Sequence, residues 1–251
     1  MALGTVLLTG AAGGIGSHLR APLRERAAEL RITDIAPLEA EADNERVIVA
    51  DLADEAAILP AAEGADAIVH LGGIPSEREF GEILGPNIVG TRNVLEAARR
   101  GGARRVVYAS SNHVTGMYAS GHPLDGTDPV RPDSNYGVSK AFGEALARKY
   151  VDKFGLEVVC LRIGSFQPRP RMARELSTWL SPTDMTRLTL AALTAPDVGF
   201  EVVYGVSANR RSWWSPEPGL RIGYQPQDDA EAYASELEGD PGPLQGGEFA
   251  A

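Results

Sequence analysis

Tyr136 and Lys140 stand four residues apart, which on a helix puts a phenol and an ammonium on one face, one turn apart. A phenol with its ordinary pKa of about 10 is a poor base at neutral pH. A neighbouring positive charge favours the phenolate, and a phenolate within reach of an alcohol can act as its general base. Lys140 is one of only three lysines, with Lys149 and Lys153, in a chain whose basic residues are otherwise arginine. Residues 105–109 read as a strand that leads into Ser110-Ser111-Asn112-His113. The Ser111 hydroxyl can hold the alcohol for the phenol, whereas Ser110 points the other way if the strand persists. The alternative for both serines is to satisfy backbone at a strand end.

A second constellation is Gly10-Ala11-Ala12-Gly13-Gly14-Ile15-Gly16. It follows an apolar run over residues 5–9 and precedes a helix expected over 17–30. Glycines at 10, 13 and 16 let backbone approach a pyrophosphate at the positive end of that helix, with Ala12, Gly14 and Ile15 completing the turn. Asp34 ends a short strand over 30–33, about 20 residues further on, where the dinucleotide fingerprint asks for an acid. A carboxylate there accepts both ribose hydroxyls of NAD and repels the 2′-phosphate of NADP, so NAD is the expected cofactor. The alternative is a structural glycine turn with an acid nearby by chance.

These residues need a frame. Strand and helix signals alternate: strands at 46–50, 67–71, 105–109 and 157–162, helices at 54–63 (Asp54 as N-cap), 87–100 and 136–154. Such alternation implies an α/β fold, a doubly wound parallel sheet with functional groups beyond the carboxyl ends of the strands. Past residue 164 the rhythm weakens to a helix over 182–194 and a strand over 201–205. The expected organisation is a Rossmann core over 1–165, a small substrate-binding portion over 166–225 integrated with it, and an acidic tail over 226–251. Residues 222–251 hold seven acids and no base, and read as solvated and partly mobile.

Composition narrows the class. The 251 residues suffice for one well-cored domain with a modest addition. A formal charge of −10 argues against nucleic acid and anionic membrane as partners. No apolar run approaches the ~20 residues that span a bilayer, and no signal peptide is apparent. Cys160, the single cysteine, lies in an apolar strand and reads as core, and no metal site is expected. A cytoplasmic setting follows.

The glycines at 10, 13 and 16 with Asp34, Asp51-Leu52, Asn87, Ser111 and Tyr136-x-x-x-Lys140 resemble the extended short-chain dehydrogenases/reductases over residues 3–165. That resemblance implies a Rossmann fold and a Ser-Tyr-Lys site. It places Asp51 and Leu52 at the adenine, Leu71, Gly72, Gly73, Asn87 and Ile163 along the cofactor, and Tyr136 and Lys140 at its nicotinamide end. Homo-oligomers pairing through the helices at 87–100 and 136–154 are also implied. A narrower resemblance spans nearly the whole chain. Residues 109–113, 136–140, 162–165, 176–179, 207–209, Trp213-Trp214 and 245–247 are similar to the uronate dehydrogenases, which oxidise D-glucuronate and D-galacturonate at C1 with NAD to give an aldarolactone. It implies substrate contacts from Ser111, Asn112, His113, Tyr136, Ser165 and Arg174, with Arg174 gripping the carboxylate as a two-pronged fork.

Alternatives remain at this level. Arg169 or Arg171 can compete with Arg174 for the carboxylate, and His113 can be a structural hydrogen bonder. Pro75 stands where a substrate serine is expected, leaving Ser76 to substitute, and Glu175 stands where an apolar residue is expected. A related sugar or sugar-phosphate dehydrogenase uses the same core. A dinucleotide-sensing regulatory protein is the non-enzyme reading.

Overall fold

The computed structural model describes residues 3–250. β1 (Leu3–Thr9), β2 (Ala27–Asp34) and β3 (Glu45–Val49) alternate with α1 (Gly14–Arg24) and are followed by α2 (Glu55–Ala62) and β4 (Ala67–His70). A helical stretch then runs as α3 (Phe80–Ile83), a π-helical segment (Leu84–Val89) and α4 (Gly90–Gly101). β5 (Arg105–Ser111), a 3-10 turn (Asn112–Thr115), α5 (Asn135–Phe154) and β6 (Glu157–Ile163) complete the region that carries the predicted chemistry. Beyond it come β7 (Ser165–Phe166), α6 (Glu175–Thr178), β8 (Trp179–Leu180), α7 (Pro182–Thr194), β9 (Phe200–Gly205) and α8 (Glu217–Arg221).

Seven strands form one all-parallel sheet in the order β3-β2-β1-β4-β5-β6-β9. Side-chain alternation sends Val6 and Leu8 to one face and Leu7 to the other. The first face packs under α1 and α7 through Leu19, Leu23, Leu188 and Ala192, the second under α2, α4 and α5 through Ile58, Leu95 and Ala147. This is the doubly wound α/β fold. Strand order reverses at β1 and β4, which opens the crevice where such folds take ligands. The glycine turn, Asp34, Leu71 and Ser111 all fall at the carboxyl ends bordering it. Cys160 is fully buried in β6, as expected of a core residue.

Three boundaries differ from expectation. β2 begins at Ala27, where helix was expected through residue 30. Pairing Leu3 with Ala27 and Thr5 with Glu29 overrides the helical preference of Ala-Ala-Glu-Leu. The helix expected at 87 begins at Phe80, and Gly85-Pro86 lie in its π-helical segment. The acidic C-terminal segment is packed. The fully buried Asp184 carboxylate accepts hydrogen bonds from the Gln227 and Asp228 amides at 3.0 Å. Ala230 is fully buried, and Tyr233 meets Trp179 edge-on. The missing bases come from elsewhere: Arg210, Arg211 and Arg169 pair with Asp229, Glu231 and Glu236.

Among the described residues, no helix is long and apolar enough to cross a membrane, and no cluster of three or more His, Cys, Asp or Glu could hold a metal ion.

Candidate active site

The turn after β1 is shaped by close backbone approach. Gly10 has φ +70°, and a Cβ there would lie 2.7 Å from the Gly72 amide nitrogen. A Cβ on Gly16 would lie 2.0 Å from the Gly10 carbonyl oxygen, whereas one on Gly14 would meet nothing within 4 Å. The turn is therefore tight against β4 and α1 yet open above Gly14. No side chain caps α1 and no acid lies in its first turn, so its leading N–H groups suit a phosphate. Asp34 is anchored at the rim: Oδ2 accepts from the Ala12 amide at 3.0 Å and Oδ1 from Ala36 at 3.1 Å.

A cavity of about 1010 Å³ runs from Asp34, Asp51 and Leu52 past the glycine turn to Ser111, Tyr136 and Lys140. Gly10, Ala12, Gly13, Gly14, Ile15 and Gly16 line it, as do Leu71, Gly72, Gly73 and Ile163. Its size, open glycine cradle and acidic rim fit a dinucleotide. Sequence reasoning missed Phe166 and Gln167, which also line it and carry no motif signal.

Two expected lining residues do not reach the cavity. Asn87 is 2 % exposed, and its amide is spent within the protein: Oδ1 accepts from the Ile74 amide at 2.7 Å, and Nδ2 donates to the Ile74 carbonyl and to the Ser139 hydroxyl, each at 3.0 Å. It holds the loop after β4 rather than a ligand. Ser76 does not line it, and Ile74 and Pro75 line the cavity there.

Tyr136 and Lys140 lie on α5, which is anchored at both ends of its first turn. Ser134 caps it by accepting from the Gly137 amide, and the Glu77 carboxylate takes the Asn135 and Tyr136 amides at 3.2 and 2.9 Å. Further along, Glu144 forms a buried bidentate pair with Arg162 of β6 and accepts from Ser110 at 2.6 Å. Ser110 thus faces the protein interior, as the alternation predicted. Ser111 is 4 % exposed and lines the cavity with Tyr136.

The Lys140 ammonium donates to the Ala109 carbonyl at 2.8 Å and lies 5.2 Å from the Tyr108 ring centre and 5.6 Å from that of Tyr136. Burial pulls its pKa down to about 8. Burial also pushes the Tyr136 phenol up to about 12, against the opposing pull of Ser111. Proximity of Lys140 alone therefore does not lower the phenol. In the protein's own field desolvation wins, because the ammonium is not in hydrogen-bond contact with the phenol oxygen.

His113 lines both this cavity and a neighbouring one of about 430 Å³. Its Nδ1 meets the fully buried Asp133 carboxylate at 2.7 Å, and its ring stacks on Phe249 at 4.2 Å. Arg174 lines the smaller cavity with Met172 and Glu175. Its fork is already engaged: Nε donates to the Gln245 carbonyl at 2.7 Å and Nη2 donates to the same oxygen. With its amide turned to suit its neighbours, Asn112 donates to the Ile163 carbonyl at 3.1 Å and accepts from Arg174 Nη2 at 2.9 Å. Nη1 lies 3.4 Å from the Ser165 hydroxyl, which also meets Thr178 at 2.9 Å. A two-pronged grip through Nε and Nη2 is thus closed, and Nη1 is the amino group left for a ligand. Arg169 and Arg171 are largely exposed, and of the three arginines Arg174 is the one that lines the smaller cavity. Glu175 is buried but spends a carboxylate oxygen on the Arg171 amide at 2.6 Å.

Asp133, Glu77 and Phe249 escaped sequence reasoning, and Gln245 entered it only as part of the 245–247 resemblance, with no role. Only Asp133 had a local signal, its place next to the Ser134 cap.

Residues 6–180 match the model of the NAD dependent epimerase/dehydratase family. The uronate dehydrogenase of Pseudomonas syringae is 48% identical over 98% of this chain and 93% of its own. The NAD-dependent glucose-6-phosphate dehydrogenase of Haloferax volcanii is 37% identical over 94% of this chain and 97% of its own. The crystal structure of a tyrosine-to-alanine mutant of the uronate dehydrogenase from Agrobacterium tumefaciens, complexed with NAD, is 44% identical. It superposes with a TM-score of 0.95 over 99% of this chain and 97% of that one. The chain belongs to the NAD dependent epimerase/dehydratase family, and within it to the uronate dehydrogenases.

Proposed function

We propose that this protein oxidises C1 of a hexuronate, D-glucuronate or D-galacturonate, to the aldarolactone with NAD as acceptor. The observation that carries the reading is spatial. Ser111, Tyr136 and Lys140 sit at one end of a dinucleotide-sized cavity, and Arg174 lies beyond the shared His113 with no carboxylate of the described residues paired to it.

NAD, when bound, supplies the acceptor for the C1 hydride. The glycine turn and the first turn of α1 would hold its pyrophosphate, Asp34 its adenosine ribose, Asp51 and Leu52 its adenine. Lys140 would bond its other ribose, and Tyr136, Gly72, Gly73 and Ile163 would flank that end. Ser111 and Tyr136 bracket the C1 hydroxyl. Tyr136 takes the hydroxyl proton as the C1–H bond breaks and C1 becomes a carbonyl. The cyclic hemiacetal becomes a lactone directly, so no water is consumed. The raised phenol means that the base is prepared by the charges that gather on binding, with the Lys140 ammonium the protein's own contribution. Asn112, His113 and Ser165 offer donors and acceptors to ring hydroxyls, and Arg174 Nη1 to the carboxylate. Residues 166–225 then form the acid-binding end, and the packed C-terminal segment closes it.

A cytoplasmic setting and homo-oligomers belong to the same reading. The single cysteine is buried, and Phe80, Leu84, Val138 and Phe142 leave apolar surface on the helices expected to pair.

The test follows NADH formation with glucuronate, galacturonate, glucose and glucose 6-phosphate side by side, for the native protein and Arg174→Ala. Turnover of the uronates far above the slow turnover of neutral sugars and of glucose 6-phosphate, with a KM for the uronates that rises about 10-fold or more in the variant, is the expected outcome. Equal effects of Arg174→Ala on uronates and glucose remove its carboxylate role. Turnover of glucose 6-phosphate in preference to the uronates overturns the substrate assignment.

A further inference from the structure

We propose that Gln245 is the positioning residue that makes Arg174 selective for an anionic sugar. The proposal rests on the reading that Arg174 receives the sugar acid.

Gln245 belongs to a segment that reads as polar tail, yet it is fully buried. Each of its polar groups is used. Oε1 accepts from the Trp214 indole at 2.8 Å. Nε2 donates to the Ala119 and His122 carbonyls at 3.1 and 2.7 Å. The backbone amide donates to Tyr118 at 2.9 Å, and the next amide, that of Gly246, donates to Gly116 at 2.9 Å. The remaining group is the main-chain carbonyl, and it takes Nε and Nη2 of Arg174. The side chain thus pins a carbonyl whose partner is the arginine.

The choice of acceptor matters. Arg162 is matched to Glu144, Arg187 to Asp184 and Arg169 to Glu236. Arg174 is held instead through a neutral oxygen, the Gln245 carbonyl. The adjoining acid, Glu175, accepts from the Arg171 amide and makes no ion pair with Arg174. A carbonyl fixes the direction of the guanidinium without cancelling its charge. Burial disfavours that charge, so an anion arriving at Nη1 relieves an existing cost, and a neutral sugar does not. Loss of the clamp would free the arginine to swing toward solvent or toward Glu175, and the discrimination would fall.

Two variants test this. Gln245→Leu keeps the volume and removes the three side-chain bonds. Trp214→Phe removes only the indole donor and serves if the first variant folds poorly. For each, kcat and KM are measured with galacturonate and with galactose, alone and in an Arg174→Ala background, and NAD affinity is measured by titration. The expected result for Gln245→Leu is a galacturonate KM raised ~10- to 100-fold, the range for one charge-assisted hydrogen bond. Its kcat changes less than about 3-fold, and kcat/KM with galactose and NAD affinity stay within about 3-fold. Trp214→Phe moves in the same direction by a smaller factor. In the Arg174→Ala background neither substitution raises KM further. A galacturonate KM unchanged in both variants, an equal loss with galactose, or an effect that multiplies with that of Arg174→Ala overturns the proposal. If Arg174→Ala by itself impairs galactose as much as galacturonate, the underlying reading fails as well, and that shows in the Arg174 arm alone.

Discussion

Lys140→Met should stabilise the protein while abolishing its turnover. The Lys140 side chain is 6 % exposed, and its ammonium has one hydrogen-bond acceptor, the Ala109 carbonyl, although it carries three donors. Its pKa falls from 10.5 to about 8 through burial. That displacement corresponds to about 3 kcal/mol held against the charged form. Methionine fills the same channel without charge and forfeits the bond to Ala109, which offsets roughly 1–2 kcal/mol. The net gain at pH 7 is about 1–2 kcal/mol, or roughly 2–8 °C in Tm. Urea titrations of native and variant protein without NAD, followed by tryptophan fluorescence, read it directly. The pH dependence gives the sign. Below about pH 8 both folded and unfolded lysine hold the proton, and the gap between variant and native protein is constant. Between about 8 and 10.5 the unfolded state binds more proton than the folded one, so native stability rises with pH and the gap closes. Cys160 and Tyr136, whose folded pKa values are both raised, act oppositely toward the top of this window, but both proteins carry them and they cancel in the gap. A variant less stable than the native protein at pH 7, or a gap indifferent to pH over this window, would refute the argument that burial dominates at Lys140.

Tyr136→Phe should lower kcat by ~10²- to 10⁴-fold, the usual worth of a general base, with NAD affinity by fluorescence titration nearly unchanged; near-normal turnover removes Tyr136 as the base. Asp34→Ala should narrow the preference for NAD over NADP, read as the ratio of kcat/KM values, because the anchored carboxylate at the rim is the group that repels a 2′-phosphate. An unchanged ratio means that Asp34 does not face the ribose.

The early part of the chain was readable because its signals are local. The turn of residues 10–16, Asp34 and the 136/140 spacing each combine a short motif with a strand or helix period, and a parallel sheet delivers strand ends to one edge whatever the details. Errors arose where a long-range pairing overruled a local preference, as when β1 drew residues 27–29 into β2. The phenol shows the same limit in electrostatics. Proximity of Tyr136 and Lys140 was legible, but whether attraction or desolvation prevails depends on atoms from β5 and the 3-10 turn that bury both groups.

By itself the amino-acid order determined the class of fold, the dinucleotide crevice and the placing of Tyr136 beside Lys140 on one helix, since these follow from periodicity and residue type within a few turns of chain. Tertiary structure alone decided how the surroundings of Arg174 and His113 are built. Arg174 meets a carbonyl 71 residues away, His113 meets Asp133 across a loop, and a run of acids becomes packed because its arginine partners lie in other segments. Such contacts leave no period in the chain. They exist only once loop closure has been offset by the burial of the groups that meet.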